Sequence, residues 1–269
     1  MKNQWEFLKR SAELGKLAHA YIFSGNDTPA KEEMAFSLAK LINCERKDTN
    51  GSFCGDCSPC RAVQGKRHPD VSFVQPVVAP EAVALRPELK ISQIRSLASY
   101  LNLGAWTSPC KIAIIHKAHT MNLQAQSAFL KLLEEPKGST LFLLLAEYPH
   151  MLLDTIRSRA QEIKFYNFAQ SLQVPREIKD RFDSLRKATI HEKFTYAKQL
   201  SESPDQIETT LEGWLRHART LLNAQVQKDA EGAAALLRAV QTIQDVLPIL
   251  QYTNVNARLA LERIMLEII

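Results

Sequence analysis

Short apolar runs alternate with stretches of helical spacing over the first 168 residues. Tyr21-Ile22-Phe23 ends at Ser24-Gly25, the pattern of a strand running into a loop; Val71–Val74, Ile112–Ile115 and Leu141–Leu145 are three more runs of buried-strand length. Between these runs the period changes. Met34, Leu38 and Leu41 share one face of a helix predicted over 31–42, and Ile91, Ile94, Leu97, Ala98 and Leu101 share one over 91–101. Asn122 is placed to cap a helix running to Glu135, where Pro136-Lys137-Gly138 stops it. Strands separated by helices of this length need crossover connections, so the pattern predicts a parallel sheet in an α/β domain.

Beyond Phe168 the strand pattern ends. Pro175–Lys198 has the composition of a small, charged helical domain. From about Ser201 the chain is amphipathic: Ile207, Leu211, Trp214, Leu215, Ala218, Leu221 and Leu222 follow the 3.6 period. A second helix is predicted over 231–247, stopped by Pro248, and a third from Asn254 to Ile269. The chain therefore divides into an α/β domain at 1–168, a small helical domain at 169–203 and a C-terminal helical domain at 204–269, with no internal repeat or low-complexity segment.

Composition narrows the class. The 269 residues are 45% hydrophobic and 23% charged, with a formal charge of +5, which permits contact with a polyanion without requiring it. Met1–Arg10 mixes Trp5, Phe7 and Leu8 with charges and lacks the apolar core of a signal peptide. The strongest apolar run, Leu141–Ala146, is far too short to span a bilayer. A cytoplasmic chain with reduced thiols and no membrane partner is expected, so its five cysteines are not a disulfide framework.

Three clusters carry chemistry. Gly25-Asn26-Asp27-Thr28-Pro29-Ala30-Lys31-Glu32 lies between a strand and a helix, the place of a phosphate-binding loop, G-x-x-x-x-G-K-[ST]. The spacing from Gly25 to Lys31 matches, but Ala30 replaces the second glycine and Glu32 the magnesium-binding hydroxyl. A carboxylate at a helix N-terminus repels phosphate, and Pro29 removes a backbone donor. The Ile112–Ile115 strand, which in an active ATPase ends in acids that hold magnesium and polarise water, ends instead in His116-Lys117. Two substituted sites together predict a nucleotide-binding fold that has lost its nucleotide chemistry. His116 and His119 are read as polar residues at a strand end rather than as a metal pair.

The third cluster is Cys44, Cys54, Cys57 and Cys60, spaced C-x9-C-x2-C-x2-C within 17 residues. Zinc takes four thiolates in a tetrahedron, and cysteines two residues apart can wrap one ion through turns such as those of Gly51, Gly55 and Pro59. With all four positions filled by sulfur the site is closed, hence structural. His68 is the alternative to Cys44 as fourth ligand. Cys110 stands apart as an ordinary thiol.

With these features in place, the sequence resembles the bacterial clamp-loader AAA+ family, in its delta-prime form. The likeness runs from Gln4 to about Phe168. It is carried by His19–Gly25, the cysteine cluster after the first helix, Lys111–Met121, Asn122–Pro136 with its Leu132-Leu133-Glu134-Glu135-Pro136, and Thr155–Ala160; Asn254–Glu262 resembles the family's last collar helix. The resemblance implies an AAA+ module (1–168) with a zinc module at 44–60, a helical lid (169–203) and an oligomerising collar (204–269). It implies gamma/tau- and delta-type partner subunits in a hetero-oligomeric ring that loads a sliding clamp onto primer-template DNA. Within the family a Ser-Arg-Cys motif gives an arginine to the neighbouring subunit's ATP. Ser158-Arg159 match, with Ala160 in place of the cysteine, so the resemblance implies Arg159 as an arginine finger acting in trans. Ala146 stands where a polar sensor residue is expected. The region Val174–Ser203 matches no part of the pattern, and about a hundred residues after Phe168 are short for a lid plus a full collar.

Two other functions compete. An ATP-hydrolysing motor subunit shares the fold and the zinc module, and is opposed by Ala30, Glu32, His116 and Lys117. A zinc-dependent nucleic-acid-binding protein needs basic and aromatic residues around the cluster, where only Phe53, Arg46, Lys47, Arg61, Lys66 and Arg67 stand.

Overall fold

A computed structural model of the chain describes residues 2–48, 51–77, 88–136, 138–166, 174–225, 230–252 and 255–268. The chain falls into two compact units, Met1–Asn167 and Phe168–Ile269.

The first unit is the expected α/β fold with a parallel sheet. Strands β1 (Ala20–Ser24), β2 (Val71–Val74), β3 (Lys111–Ile115), β4 (Thr140–Ala146) and β5 (Gln161–Lys164) form a five-stranded sheet ordered β2-β3-β4-β1-β5. Every pairing is parallel, with Tyr21 against Leu143 and Gln161, and Ile114 against Leu143 and Phe73. Alternate residues point to opposite faces of a strand, and here they feed two separate cores. Tyr21, Phe23, Ile112, Ile114, Leu141, Leu143 and Leu145 pack against α1 (Lys2–Glu13), α2 (Thr28–Asn43) and α3 (Ser58–Gln64). On the other face Ile22, Ala113, Ile115, Phe142 and Leu144 pack against α4 (Ile91–Asn102), α5 (Leu123–Glu134) and α6 (Asp154–Arg157). Helices on both faces are what a wholly parallel sheet with a buried centre requires.

The four apolar runs became β1 to β4. The fifth strand has no such run: only Ile163 of Gln161–Lys164 is buried, because β5 is an edge strand with one face on the core. The cap at Asn122 is present, its Oδ1 accepting from the Ala125 amide at 2.8 Å. Lys137, within the expected stop, lies outside the described residues, as does the 168/169 boundary.

The second unit is helical: α7 (Arg176–Arg186), α8 (Ile190–Ser201), α9 (Pro204–Gln225), α10 (Ala230–Tyr252) and α11 (Ala257–Glu267). Phe182, Leu185, Ala197 and Leu200, from the stretch expected as a lid, share one core with Leu211, Trp214, Ile243, Leu261 and Ile264 from the stretch expected as a collar. The predicted stop at Pro248 is corrected: α10 continues through it to Tyr252. Proline removes one helical hydrogen bond, but Val246, Leu247 and Leu250 on either side are buried, and that packing holds the turn in register. Gly232–Leu250 is long and apolar enough to cross a membrane by length and composition alone. Its Leu236, Ala239, Val240 and Ile243 lie inside the unit's core, as in a central helix of a packed bundle. The last helix is capped by Asn256, which accepts from the Leu259 amide at 3.3 Å; Asn254 lies outside the described residues.

Candidate functional site

The cysteine cluster is assembled from three local structures. Cys44 is the C-cap of α2, Cys57 the N-cap of α3, Cys60 lies inside α3, and Cys54 stands on the loop between them. Gly55 turns that loop at φ +78°. Phe53 fastens it to the domain, edge-on to Trp5 with ring centroids 5.9 Å apart and under the Lys40 ammonium at 5.4 Å. The four sulfur atoms all lie within 4.8 Å of one another, with Cys44 Sγ 3.7 Å from Cys54 Sγ and 3.9 Å from Cys57 Sγ. A tetrahedral ion with metal–sulfur bonds of about 2.3 Å sets its ligands about 3.8 Å apart, so the donor set fits one thiophilic cation.

The surroundings favour thiolates. Cys44 Sγ accepts from the Cys54 amide at 3.3 Å, and Cys54 Sγ from the amides of Asp56 and Cys57 at 3.5 and 3.3 Å. Burial opposes ionisation of Cys57, but the Cys60 and Glu45 amides and the neighbouring sulfurs outweigh it and bring its pKa down to about 6. Burial and the Cys57 sulfur push the Cys60 thiol up instead. A bound cation would ionise all four. His68 is outside the cluster and serves elsewhere, its Nδ1 accepting from the Asp70 amide at 3.2 Å.

The phosphate-loop region closes on itself. Gly25 has φ +114°, and a Cβ there would sit 2.0 Å from the Phe165 carbonyl oxygen, so only glycine fits. The amides of Gly25 and Asp27 donate to the carbonyls of Ala146 and Phe165, at 3.2 and 3.3 Å. Those of Thr28 and Lys31 donate to Asn26 and Asp27 carbonyls, and that of Ala30 to Asp27 Oδ1. Lys31 is 2% exposed, and its ammonium turns back to donate to the Gly25 carbonyl at 2.5 Å. Burial lowers its pKa to about 8, against the opposing pull of Glu147, Asp27 and Glu32.

Glu32 takes up the end of β3: its Oε1 lies 3.2 Å from His116 Nδ1, joining α2 to that strand. Burial lowers the His116 pKa, and Lys66 adds to the effect while Glu32 opposes it. His119 is buried and accepts the Glu147 amide at Nδ1, 3.2 Å away; burial above all, with Lys31, Lys117 and His150, lowers its pKa to about 3, so it is neutral. Among the described residues neither histidine belongs to a group of metal-ligand geometry. A cavity of about 380 Å³ remains between Thr28, Lys31, Glu32, His116, Lys117 and Glu147.

Arg159 follows α6, where Ser158 Oγ and Arg159 Nη1 both donate to the Thr155 carbonyl, at 3.1 and 3.0 Å. Its Nη2 lies 3.0 Å from Glu134 Oε1, and the side chain is 39% exposed. Ala160, in place of the expected cysteine, packs against the core under α5 and α6. Arg157 pairs with Asp154 at 2.9 Å.

Sequence reasoning missed three polar residues, two of which shape these sites. Glu134 is one. Gln126 is another: its amide donates to the Met121 and Met151 carbonyls at 3.0 and 3.1 Å and accepts from the Leu153 amide at 2.7 Å, fixing the approach to α6. A glutamine on the same helical face as Phe129 and Leu133 was its signal. Asp70 is the third. It is 1% exposed and accepts from the amides of Trp106, Thr107 and Ser108 at 2.8 to 3.0 Å and from the Thr107 hydroxyl at 3.1 Å. Nothing in its sequence neighbourhood marks it.

These features define a class: a P-loop-type α/β domain with a four-cysteine module, its loop donors turned inward, joined to a helical unit. The family model described as DNA polymerase III, delta subunit, matches residues 1–169. The chain belongs to this family. Its relatives include both delta-prime and tau subunits: it is 35% identical to DNA polymerase III subunit delta' of Bacillus subtilis over 65% of this chain and 49% of that protein, and 29% identical to the tau subunit of the same organism over 56% of this chain and 25% of that protein. It is 33% identical to the delta' subunit of Pseudomonas aeruginosa over 53% of this chain and 41% of that one. The chain thus spans half or less of the length of these relatives. The solved structure of a DNA polymerase III gamma subunit-related protein from Thermotoga maritima aligns with a TM-score of 0.44 at 18% identity, covering 98% of this chain and 97% of the other.

Proposed function

We propose that this chain is the non-motor, delta-prime-type subunit of a bacterial clamp loader, acting in the cytoplasm within a hetero-oligomeric ring of gamma/tau- and delta-type subunits. In this reading the ring places a sliding clamp on primer-template DNA, and this subunit contributes structure and one cation rather than hydrolysis. The helical unit supplies the lid (169–203) and the collar (204–269). A structural zinc held by Cys44, Cys54, Cys57 and Cys60 would tie the connection between α2 and α3 to the ends of both helices; when bound it supplies folding free energy and no reaction chemistry.

The observation that carries the reading is the inward turn of Lys31. In a nucleotide-binding loop the lysine and the amides wait for phosphate oxygens; here Lys31 is bonded to Gly25 and the amides to the protein itself. Glu32, where magnesium's hydroxyl ligand would stand, is committed to His116. Arg159 offers the complementary group. A guanidinium is always charged and can brace two phosphate oxygens, and arginine fingers are worth about 10³–10⁵ in rate in well-studied GTPases.

The test is reconstitution. A ring assembled with Arg159→Ala should fold, hold its metal and assemble as the wild type does, while losing the clamp-dependent ATPase of the one site this subunit completes. Arg157→Ala, whose native partner is Asp154 in its own helix, is the control and should leave the rate near wild type. Wild-type clamp loading by the Arg159→Ala ring would remove the finger assignment. Saturable ATP binding to the isolated chain by calorimetry would favour the motor reading instead.

A further inference from the structure

Helix α5 carries Lys131 in its last turn but ends in two adjacent carboxylates. Glu134 is its last residue and Glu135 its C-cap. Carboxylates at a helix C-terminus add to the partial negative charge of the unpaired carbonyls, which is unfavourable unless a positive group answers it. Arg159 reaches that end from the connection between α6 and β5. Its guanidinium is held on two sides, Nη2 by Glu134 at 3.0 Å and Nη1 by the Thr155 carbonyl of its own turn at 3.0 Å. Held in this way it is still partly open to solvent, with 39% of the side chain exposed and 50% of that of Glu134.

We propose that Glu134 is a positioning residue for Arg159, an inference that rests on the finger reading above. A free arginine must give up its rotamer freedom when it meets a phosphate; one already braced between a carboxylate and a carbonyl has given up most of it. The brace is also releasable. An ion pair this exposed is weak, and a neighbour's polyphosphate carries more charge than one carboxylate. Glu134 acts through the arginine, at the end of a helix whose Gln126 also fixes the approach to α6.

The experiment uses the reconstituted ring with Glu134→Ala, Glu134→Gln, Arg159→Ala and the Glu134→Ala/Arg159→Ala double variant. Its second readout is ¹⁵N relaxation of the Arg159 Nε–H in the free chain. Glu134→Ala should lower the maximal ATPase rate about five-fold, the worth of a part-exposed ion pair expressed as a rate, with the KM for ATP unchanged. Glu134→Gln, which keeps the acceptor oxygen and the length, should recover most of that loss. The double variant should be no slower than Arg159→Ala alone, and the ordered Nε–H of the wild type should become mobile in Glu134→Ala. A Glu134→Ala ring as fast as wild type or faster, beside a slow Arg159→Ala ring, overturns this inference alone. A loss that adds to that of Arg159→Ala overturns it too, since Glu134 would then act elsewhere. An inert Arg159→Ala removes the finger reading and this inference with it.

Discussion

Lys31 is held charged in a place that does not favour charge, and that makes a strong test of the closed loop. A lysine whose pKa is about 8 instead of 10.5 is destabilised as an ammonium by about 3 kcal/mol, at about 1.4 kcal/mol per tenfold. Replacing it with methionine, similar in length and without charge, removes that penalty. The change also deprives the Gly25 carbonyl of its 2.5 Å donor, a loss of about 1–2 kcal/mol. Lys31→Met should therefore stabilise the α/β unit by about 1–2 kcal/mol at pH 7, an increase of roughly 4 °C in its melting temperature. The pH dependence gives the sign independently. Between the folded pKa of about 8 and the unfolded value of 10.5 the unfolded chain binds more protons, so the wild type gains stability as pH rises through that window. The methionine variant does not, so its advantage of about 1–2 kcal/mol should vanish within the window and, against the wild type's gain of about 3 kcal/mol, reverse by pH 10.5. Urea titrations of both proteins at pH 7, 9 and 10.5 measure it. A methionine variant less stable than wild type at pH 7, with a difference that does not change at high pH, would refute the reasoning and mean that the ammonium's contacts outweigh its desolvation.

Metal analysis of the purified chain should give one zinc per chain. Chelation or Cys57→Ser should release it and raise amide exchange first across residues 44–60, whereas under half an equivalent in the wild type, or full retention by Cys57→Ser, counts against the site. Burial alone would raise the Asp70 pKa, but the amides of Trp106, Thr107 and Ser108 and the Thr107 hydroxyl bring it down to about 2 from 3.8. The carboxylate's stabilisation is therefore complete above pH 3.8 and is lost as pH falls toward 2. Asp70→Asn should cost about 2–3 kcal/mol at pH 7 and shrink the wild-type advantage in that acid window; an unchanged urea midpoint would contradict the cradle.

The parts legible in the sequence are those fixed by short-range pattern. Strands β1, β3 and β4 were visible because a strand buried on both faces is apolar along nearly its whole length, β2 because Val71, Phe73 and Val74 still mark it, and the cysteines because their spacing is itself the chemistry. Strand β5 was hidden because an edge strand with Ile163 as its one buried residue leaves no run. Helix α10 was cut short at Pro248 because local propensity knows nothing of the packing around Val246 and Leu250. The loop's substitutions could be read, but not that Lys31 turns inward, which depends on where Gly25 and Phe165 meet. Glu134 and Arg159 are separated in the chain by the whole of β4 and meet only through the fold.

The direction of the hydrogen bonds joins these features into one account. A loop that binds phosphate gains affinity by leaving donors unsatisfied until the ligand arrives. Here a phosphate would first have to displace the Asp27, Phe165 and Ala146 acceptors and the Gly25 carbonyl from their donors, and then sit between Glu32 and Glu147. Each displaced bond is worth about 0.5–1.5 kcal/mol and the bond to an ammonium more, so the loop competes with its own ligand. At Arg159 the balance is reversed. Its two contacts are one carbonyl and one half-exposed carboxylate, little to give up for a doubly charged oxygen cluster. The chain thus satisfies its donors firmly in the loop and loosely at Arg159. On the proposed reading, that asymmetry is what lets a subunit respond to a neighbour's ATP without holding its own.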